Sequence, residues 1–217
     1  MKRIILAIVL FLSSTLVYSG TKINLSTQYA YFDVSNLKSL VTEVRRQSKL
    51  PIEYTDEFPP GPQYQIEFSY IGTTLELGLS YGYLSSGSRA HYADYTGEYK
   101  LDNIINNISY SLIFKTNSVN LKDTNNVLYY AIEGEFGFTE SEVKIDEHVR
   151  VYEDIVDDSQ TFQSTTAFYK FGVGLYYFIN NLTFGVSANY LSALEEILPG
   201  DWSGFRLGVS IGYYLRL

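Results

Sequence analysis

The stretch "GFRLGVSIGYYLRL" at residues 204–217 alternates between apolar residues and mainly small or polar ones. The apolar positions are Phe205, Leu207, Val209, Ile211, Tyr213, Leu215 and Leu217. The opposite positions include Arg206, Gly208, Ser210 and Gly212. Successive side chains of a β-strand point to opposite faces, so this pattern predicts a strand with one wholly apolar face.

The same two-residue period recurs along the chain. It predicts eight strands, at residues 22–32, 63–71, 74–84, 103–115, 126–138, 166–178, 181–191 and 204–217. After residue 19 no segment has the roughly 18 consecutive apolar residues that a transmembrane helix needs. The sequence is therefore predicted to be all-β.

The residues opposite the apolar positions indicate which face meets lipid. They are mostly small and uncharged, as in Ser109, Ser111, Gly172 and Gly174. A surface that faces water normally carries far more Lys and Glu, whereas a crowded interior favours small side chains. The 21 Tyr and 13 Phe residues suit the aromatic girdles of a membrane barrel. A soluble lipocalin-like barrel or a β-sandwich, with its apolar face inside, is the alternative.

The connections between the predicted strands alternate in length. Long polar segments are expected at residues 33–62, 85–102, 139–164 and 192–203, and shorter connections after the second, fourth and sixth strands. An open sheet in a bilayer would leave backbone groups unpaired, so the sheet must close. The fold predicted is an eight-stranded antiparallel up-and-down transmembrane β-barrel with long external loops and short periplasmic turns.

The N-terminal residues have the pattern of an export signal. Lys2 and Arg3 precede a short apolar run, and small residues allow cleavage after Ser19. A membrane anchor is the alternative, but the run is shorter than the ~20 apolar residues that span a bilayer. We expect a signal peptide at residues 1–19 and one barrel domain at residues 20–217.

Composition excludes several functions. The chain has no Cys and two His, so disulfides, Cys metal sites and cofactors are not expected. Its net charge of −8 argues against nucleic-acid binding.

The C-terminal residues resemble a barrel-assembly signal. Ser210, Gly212, Leu215 and Leu217 fill the frame of a polar residue, a glycine and two terminal apolar residues, although the usual last residue is Phe. With this signal the chain resembles the small eight-stranded outer-membrane barrels of Gram-negative bacteria, of the OmpX, OmpW and OmpA-transmembrane type. The resemblance implies insertion by the outer-membrane assembly machinery and contact with outer-membrane lipid and lipopolysaccharide.

Six charged residues are predicted to point into the barrel. They are Glu67, Glu76, Glu133, Glu135, Lys170 and Arg206. An eight-stranded barrel is only about wide enough for its own side chains, so a salt-bridge network that plugs the lumen is expected. A polar path for ions or small solutes is the alternative, because many inward glycines leave room unless they accommodate the inward aromatic rings.

The third external segment is the most acidic. A possible cation-binding loop comprises Asp146, Glu147, Glu153, Asp154, Asp157 and Asp158. Carboxylates bind Ca²⁺ or Mg²⁺, but a solvated loop is the simpler interpretation. The period-two stretch at residues 142–154 also suggests that two strands continue above the membrane as a ribbon. A short helix is expected near residues 34–44.

No catalytic residues are predicted. His91, near Ser86, Ser88 and Asp94, and His148 both fall in predicted loops. The expected function is therefore a non-enzymatic surface or interaction protein. Its protein partners would bind through external loops, or it would be a subunit of an envelope complex. The alternatives are a narrow channel and a lipid A-modifying enzyme that uses His91.

Overall fold

The computed structural model describes residues 20–32, 53–56, 61–95, 97–121, 126–194 and 203–216. Its nine strands are β1 (Gly20–Phe32), β2 (Glu53–Asp56), β3 (Gly61–Ile71), β4 (Leu75–Ala93), β5 (Gly97–Asn117), β6 (Asn126–Val151), β7 (Asp154–Ile179), β8 (Leu182–Ala193) and β9 (Gly204–Arg216). Within these ranges there is no helix long and apolar enough to cross a membrane.

Eight of these strands close into a ring. Each pairs antiparallel with its neighbours, and β9 pairs with β1 from Gly20↔Arg216 to Phe32↔Gly204. Within the described part of the chain, the ninth strand, β2, pairs only with β4. The ring confirms the predicted up-and-down barrel, and each of its eight strands overlaps one of the eight predicted strands.

The outer and inner faces of the ring differ in polarity, as the alternation predicts. On β9 the outward side chains Phe205, Leu207, Val209, Ile211, Tyr213 and Leu215 are 44–61% exposed. Arg206 on the same strand points into the lumen and is 6% exposed. An apolar outer wall around a polar interior is the arrangement of a transmembrane barrel and the reverse of a soluble one.

The two ends of the barrel differ in the length of their strands. At the turn end, β3–β4 and β7–β8 are joined by the short turns at residues 72–74 and 180–181. Asn180 adopts a left-handed φ of 55°, which Asn tolerates better than most residues. The opposite end, called the extended end here, carries strands that continue well past the barrel.

Two predicted loops are wrong. Residues 85–102 and 139–164 are largely strand: β4 pairs with β5 as far as Ala93↔Glu98, and β6 pairs with β7 as far as Val151↔Asp154. These segments are polar because both of their faces lie outside the membrane, and polarity is also what a loop shows. The ribbon expected at residues 142–154 is present, with its turn at Tyr152 and Glu153.

We call this extension the protruding sheet. It comprises β2 with the outer parts of four strands, at residues 85–93, 97–106, 139–151 and 154–165. The predicted helix at residues 34–44 lies outside the described residues, as do most of the predicted loop at 33–62 and residues 195–202.

Two apolar clusters fill the ends of the lumen. The upper cluster consists of Ala30, Leu84, Ile105, Val143, Phe168 and Leu191. The turn-end cluster consists of Ile71, Leu121, Tyr129, Ala131, Tyr176, Phe178 and Tyr214. Both contain side chains from strands on opposite sides of the ring. The polar middle of the lumen is therefore enclosed above and below by packed apolar groups.

The orientation of β9 predicts the effect of a charge on the outer wall. Val209→Arg should lower the free energy of unfolding in lipid vesicles by about 2–4 kcal/mol, because its side chain lies midway along the apolar face. Val209→Leu is the matched control and should leave it nearly unchanged. If arginine were tolerated as well as leucine, residue 209 would face water.

The filled lumen and the protruding sheet

Glu135 on β6 is the centre of the lumen network. It forms an ion pair with Lys170 on β7. Its carboxylate also accepts hydrogen bonds from Ser111 at 2.5 Å, Ser80 at 3.0 Å and Gln65 at 3.2 Å. The buried carboxylate of Glu135 is thus contacted by side chains from four other strands, β3, β4, β5 and β7. The ion pair and these hydrogen bonds compensate for the burial of the charge, because a buried ion is costly unless it is paired and hydrogen-bonded.

Lys115 on β5 joins two further carboxylates nearer the turn end. Its Nζ lies 2.7 Å from Oε2 of Glu67 and 3.9 Å from Oε1 of Glu133. Asn24 donates a second hydrogen bond to Oε2 of Glu67 at 3.0 Å. The charges of Glu67 and Glu133 are therefore bridged by one cation from a strand between them.

A third pair lies at the base of the lumen. Lys22 on β1 is 3.4 Å from Oε2 of Glu76 on β4, and both side chains are almost fully buried. Ser69 donates to the other carboxylate oxygen of Glu76 at 2.5 Å. This pair connects strands that are not neighbours in the ring.

Tyr176 spans the space between these groups. Its hydroxyl donates to Glu133, and the centroid of its ring lies 5.5 Å from Lys22 Nζ and 5.9 Å from Lys115 Nζ. Both ammonium groups are thus within cation–π distance of one ring. A Cβ at Gly174 or Gly185 would overlap this ring. These inward glycines therefore accommodate an aromatic side chain and leave no open path.

Arg206 differs from the other predicted lumen residues. It is 6% exposed, and its Nε and Nη1 atoms have no hydrogen-bond partner among the described residues. Asn189, directly opposite on β8, also has both side-chain polar atoms without a described partner. The structure thus places five of the six predicted residues in ion pairs and leaves Arg206 apart from them.

Lys22 and Lys115 also point into the lumen, although they were not among the predicted lumen residues. Both lie on the inward face by parity, Lys22 two residues before Asn24 and Lys115 four after Ser111. Both also lie near strand ends, where a lysine side chain is equally compatible with solvent. The alternation of the strand alone therefore did not predict that they face the lumen. With them, the four buried carboxylates are matched by four buried cations, counted over the described residues.

Little space remains inside. The cavity bordered by Lys115, Glu133, Glu135, Lys170 and Asn189 has a volume of about 10 Å³, which is roughly the space for one water molecule. Together with the two apolar clusters, this leaves no wide aqueous path along the described lumen. The chain is a transmembrane β-barrel with a filled lumen.

The outward face of the protruding sheet carries exposed ion pairs. Arg89 pairs with Asp102 at 2.6 Å, and Lys144 with Asp146 at 2.8 Å. Hydrogen bonds from Lys144 and Ser159 hold the pKa of Asp146 below its usual value. Exposed pairs of this kind contribute little stability individually, so this face is a charged surface in contact with water.

The six acidic residues predicted as a cation site are divided by the strand alternation. Asp146 points outward beside Lys144, whereas Glu147 and Asp158 lie directly opposite each other on the other face. Glu153 lies in the tip turn. Among the described residues, no three metal-ligating side chains are close enough to hold a metal ion.

The two histidines lie in one row of the protruding sheet, His91↔Lys100↔His148. His91 pairs with Glu98 at 3.1 Å and His148 with Asp157 at 2.5 Å. The hydrogen bond with His91 lowers the pKa of Glu98.

The nearby serines do not complete a catalytic arrangement with His91. Ser86 and Ser88 are on the opposite face of β4 by alternation, and Asp94 accepts a hydrogen bond from Tyr92 at 2.8 Å. The described geometry therefore does not assemble a Ser–His–Asp triad from these residues.

Three of the four residues of the expected assembly signal lie on β9. Ser210 and Gly212 face the lumen, Leu215 faces outward, and Leu217 lies outside the described residues. A Cβ on Gly212 would be 2.9 Å from Cε of Lys22. Gly212 therefore also has a packing role, because it leaves space for the Lys22 side chain.

The comparisons with known proteins concern structure only. No protein-family model matches the chain, and no curated protein gives a significant sequence match. In fold it is similar to the N-terminal β-barrel domain of Pseudomonas aeruginosa OprF, at 16% identity and a TM-score of 0.46, covering 90% of this chain and 97% of that one.

Two other solved structures are similar. One is Ail, the attachment invasion locus protein of Yersinia pestis, at 10% identity and a TM-score of 0.43, covering 91% of this chain and 97% of that one. The other is Neisserial surface protein A, at 13% identity and a TM-score of 0.37, covering 92% of this chain and 97% of that one.

The buried pair Lys170–Glu135 should show strong energetic coupling. Lys170→Met or Glu135→Gln alone should each lower the free energy of unfolding by about 3–5 kcal/mol, because each leaves a buried charge unpaired. The double variant should lose much less than the sum of the two. Denaturant unfolding of the barrel in vesicles measures all three values.

The exposed pair Lys144–Asp146 is the matched control, and Lys144→Met with Asp146→Asn should cause no measurable change. Simple additivity of the two lumen variants would mean that Lys170 and Glu135 do not interact in the folded barrel.

Proposed function

We propose that this protein is a non-enzymatic outer-membrane surface protein. In this proposal its filled barrel is an anchor, and the protruding sheet is the part that meets partners outside the cell. The observation that carries the proposal is a lumen filled by ion pairs and closed by two apolar clusters, with a cavity of only about 10 Å³ beside the ion pairs, beneath strands that continue far beyond the barrel.

The proposed location is supported by the apolar outer face of the barrel and by the difference in strand length between its two ends. The apolar band requires lipid, and closed barrels of this kind are typical of bacterial outer membranes. In the proposed orientation the turn end is periplasmic and the protruding sheet is external. The apolar wall would contact lipid and the sheet would lie near lipopolysaccharide, after insertion by the outer-membrane assembly machinery.

Conduction is the alternative that the lumen disfavours. An ion would have to pass two apolar clusters and a set of paired charges, and no described opening of sufficient width joins them. A polar lumen can nevertheless conduct if its side chains rearrange, so conductance is the decisive measurement.

Refolded protein should give no reproducible single-channel steps in planar bilayers. Lys170→Ala and Glu133→Ala should be equally silent, since shortening one side chain leaves both apolar clusters in place. Heat-modifiable migration in detergent gels confirms that each sample is folded. Steps in the wild type that change size in either variant would establish a water-filled lumen and contradict the proposal.

Expression of the protein should leave the mass of lipid A unchanged. The reason is that His91 is paired with Glu98 and is on the other face of β4 from Ser86 and Ser88. Mass spectrometry of lipid A from cells that express the wild type, His91→Ala or an empty vector tests this. A mass change present in the wild type and lost in His91→Ala would make the protein an enzyme.

A further inference from the structure

A polar groove lies on the outer surface of the barrel, where the apolar face ends and the protruding sheet begins. We call it the interface groove. It has a volume of about 590 Å³, which is within the range of small-molecule sites, and the residues that border it are all described. Its principal residues come from four neighbouring strands and are Tyr83 on β4, Asn106 and Ile108 on β5, Glu140 and Glu142 on β6, and Gln163 on β7.

The register of the sheet forms this groove from two adjacent rows of outward side chains. The rows are Tyr83↔Ile108↔Glu140↔Thr165 and Ser85↔Asn106↔Glu142↔Gln163. The next row on the membrane side contains three rings that are 43–54% exposed, those of Tyr81, Tyr110 and Phe138. Aromatic belts of this kind lie at the level of the lipid headgroups. The interface groove is therefore beside the headgroups and not beside the hydrocarbon.

The groove carries negative charge that its own side chains do not neutralise. The carboxylate of Glu140 has no ion-pair or hydrogen-bond partner among the described residues, and that of Glu142 accepts one hydrogen bond, from Gln163 at 3.0 Å. The two rows contain no Lys, Arg or His. Lys144, the next outward cation along β6, is paired with Asp146 at 2.8 Å. The groove therefore repels phosphate and carboxylate groups, whereas hydroxyl groups can donate charge-assisted hydrogen bonds to its carboxylates.

Hydrogen bonds within the groove orient its two amides. Oδ1 of Asn106 accepts hydrogen bonds from Tyr83 Oη at 3.2 Å and from Ser85 Oγ at 2.8 Å. The Nδ2 group of Asn106 therefore remains a donor, without a partner among the described side chains. Gln163 directs its Nε2 toward Glu142 and keeps its Oε1 as an acceptor. Donors and acceptors thus lie side by side, which suits hydroxyl groups because each hydroxyl both donates and accepts.

Tyr83 and Ile108 add an apolar surface to this polar set. They lie directly opposite each other on β4 and β5, and the Tyr83 side chain is 39% exposed. The C–H bonds on one face of a pyranose ring carry partial positive charge and pack against the negative face of an aromatic ring. An exposed ring beside amides and carboxylates therefore matches a sugar better than it matches a hydrocarbon chain.

We infer that the interface groove binds a neutral pyranose unit in the sugar headgroup of an outer-leaflet glycolipid. Adjacent sugar hydroxyls donate to Glu140 and Glu142, Asn106 donates to a further sugar oxygen, and the ring packs on Tyr83. The glycolipid is the source because a headgroup beside the inserted barrel reaches this groove without leaving the membrane. The inference deepens the proposed function and rests on it, since the groove must lie in the outer leaflet.

The test uses the full-length protein refolded in phospholipid nanodiscs that contain no glycolipid. The probes are the methyl glycosides of glucose, galactose and mannose, and methyl glucuronide is their charged counterpart. Binding is measured by titration with saturation-transfer NMR in the presence of EDTA. We expect at least one neutral glycoside to bind, and to bind at least about fivefold more tightly than the glucuronide, because the glucuronide carries a carboxylate into an acidic groove.

The aromatic contact is tested at Tyr83. Tyr83→Leu should weaken binding of the neutral glycoside about three- to tenfold, because it removes the ring on which the sugar packs. Tyr95→Leu is the matched control, since Tyr95 is a 95% exposed tyrosine beyond the end of β4 and outside the groove. It should bind as the wild type does. Heat-modifiable migration in detergent gels checks that each variant is folded.

The charge selection is tested separately, so that the inference stays open to refutation if Tyr83→Leu does not fold. Glu140→Gln with Glu142→Gln should abolish the preference for the neutral glycoside over the glucuronide. Glu153→Gln, which neutralises an exposed carboxylate in the turn between β6 and β7, is the matched control and should keep that preference.

The source of the sugar is tested with nanodiscs that contain lipopolysaccharide without O-antigen. Its sugars are held beside the barrel at high effective concentration, so the apparent affinity for the soluble glycoside should fall by at least about threefold. An unchanged affinity would assign the groove to a soluble glycan and overturn the glycolipid as its ligand.

Three further results would overturn the inference. They are the absence of binding by all three neutral glycosides, equal binding by folded Tyr83→Leu and the wild type, and binding that appears only when Ca²⁺ replaces EDTA. The last result would indicate a cation held by the two glutamates. Failure here is separable from failure of the proposed function. A barrel that is silent in bilayers but binds no glycoside removes only this inference, whereas a conducting barrel removes the proposed surface role.

Discussion

The pairing of β9 with β1 is the constraint on which the rest of the structure depends. In hydrocarbon an unpaired backbone N–H or C=O costs several kcal/mol, so a sheet that spans the membrane has no stable open form. The pairs from Gly20↔Arg216 to Phe32↔Gly204 remove the last two edges. Once the ring is closed, the alternation along each strand assigns every side chain to lipid or to the lumen.

Closure by eight strands also determines what the lumen can contain. The interior is about as wide as the side chains that line it, so the inward residues must pack against one another across the ring. Lys170 meets Glu135 from the adjacent strand, whereas Lys22 reaches Glu76 across two strand boundaries. The glycines under Tyr176 belong to the same packing. In a ring this narrow, the buried charges are therefore part of a packed core and do not line an open path for ions.

Above the membrane the constraint no longer applies. Water satisfies unpaired backbone groups there, so β6 and β7 continue past β8, and the outer part of β7 has no second neighbour among the described strands. The outer halves of these strands therefore have two polar faces instead of one apolar and one polar face. This change explains why the sequence of the protruding sheet is so polar.

The sequence by itself determined the eight strands of the ring, the closed barrel and the outward face, because a two-residue period needs only local information and the bilayer permits one way to close the sheet. It did not predict β2, which lies outside the ring. It also identified most of the lumen charges by parity. Only the tertiary structure decided which charges meet, since pairs such as Lys22 with Glu76 depend on the width and register of the whole ring. It added Lys115 to the network and left Arg206 outside it. It also showed that residues 139–164 are mostly strand, because a ribbon in water and a loop are equally polar, and only pairing distinguishes them.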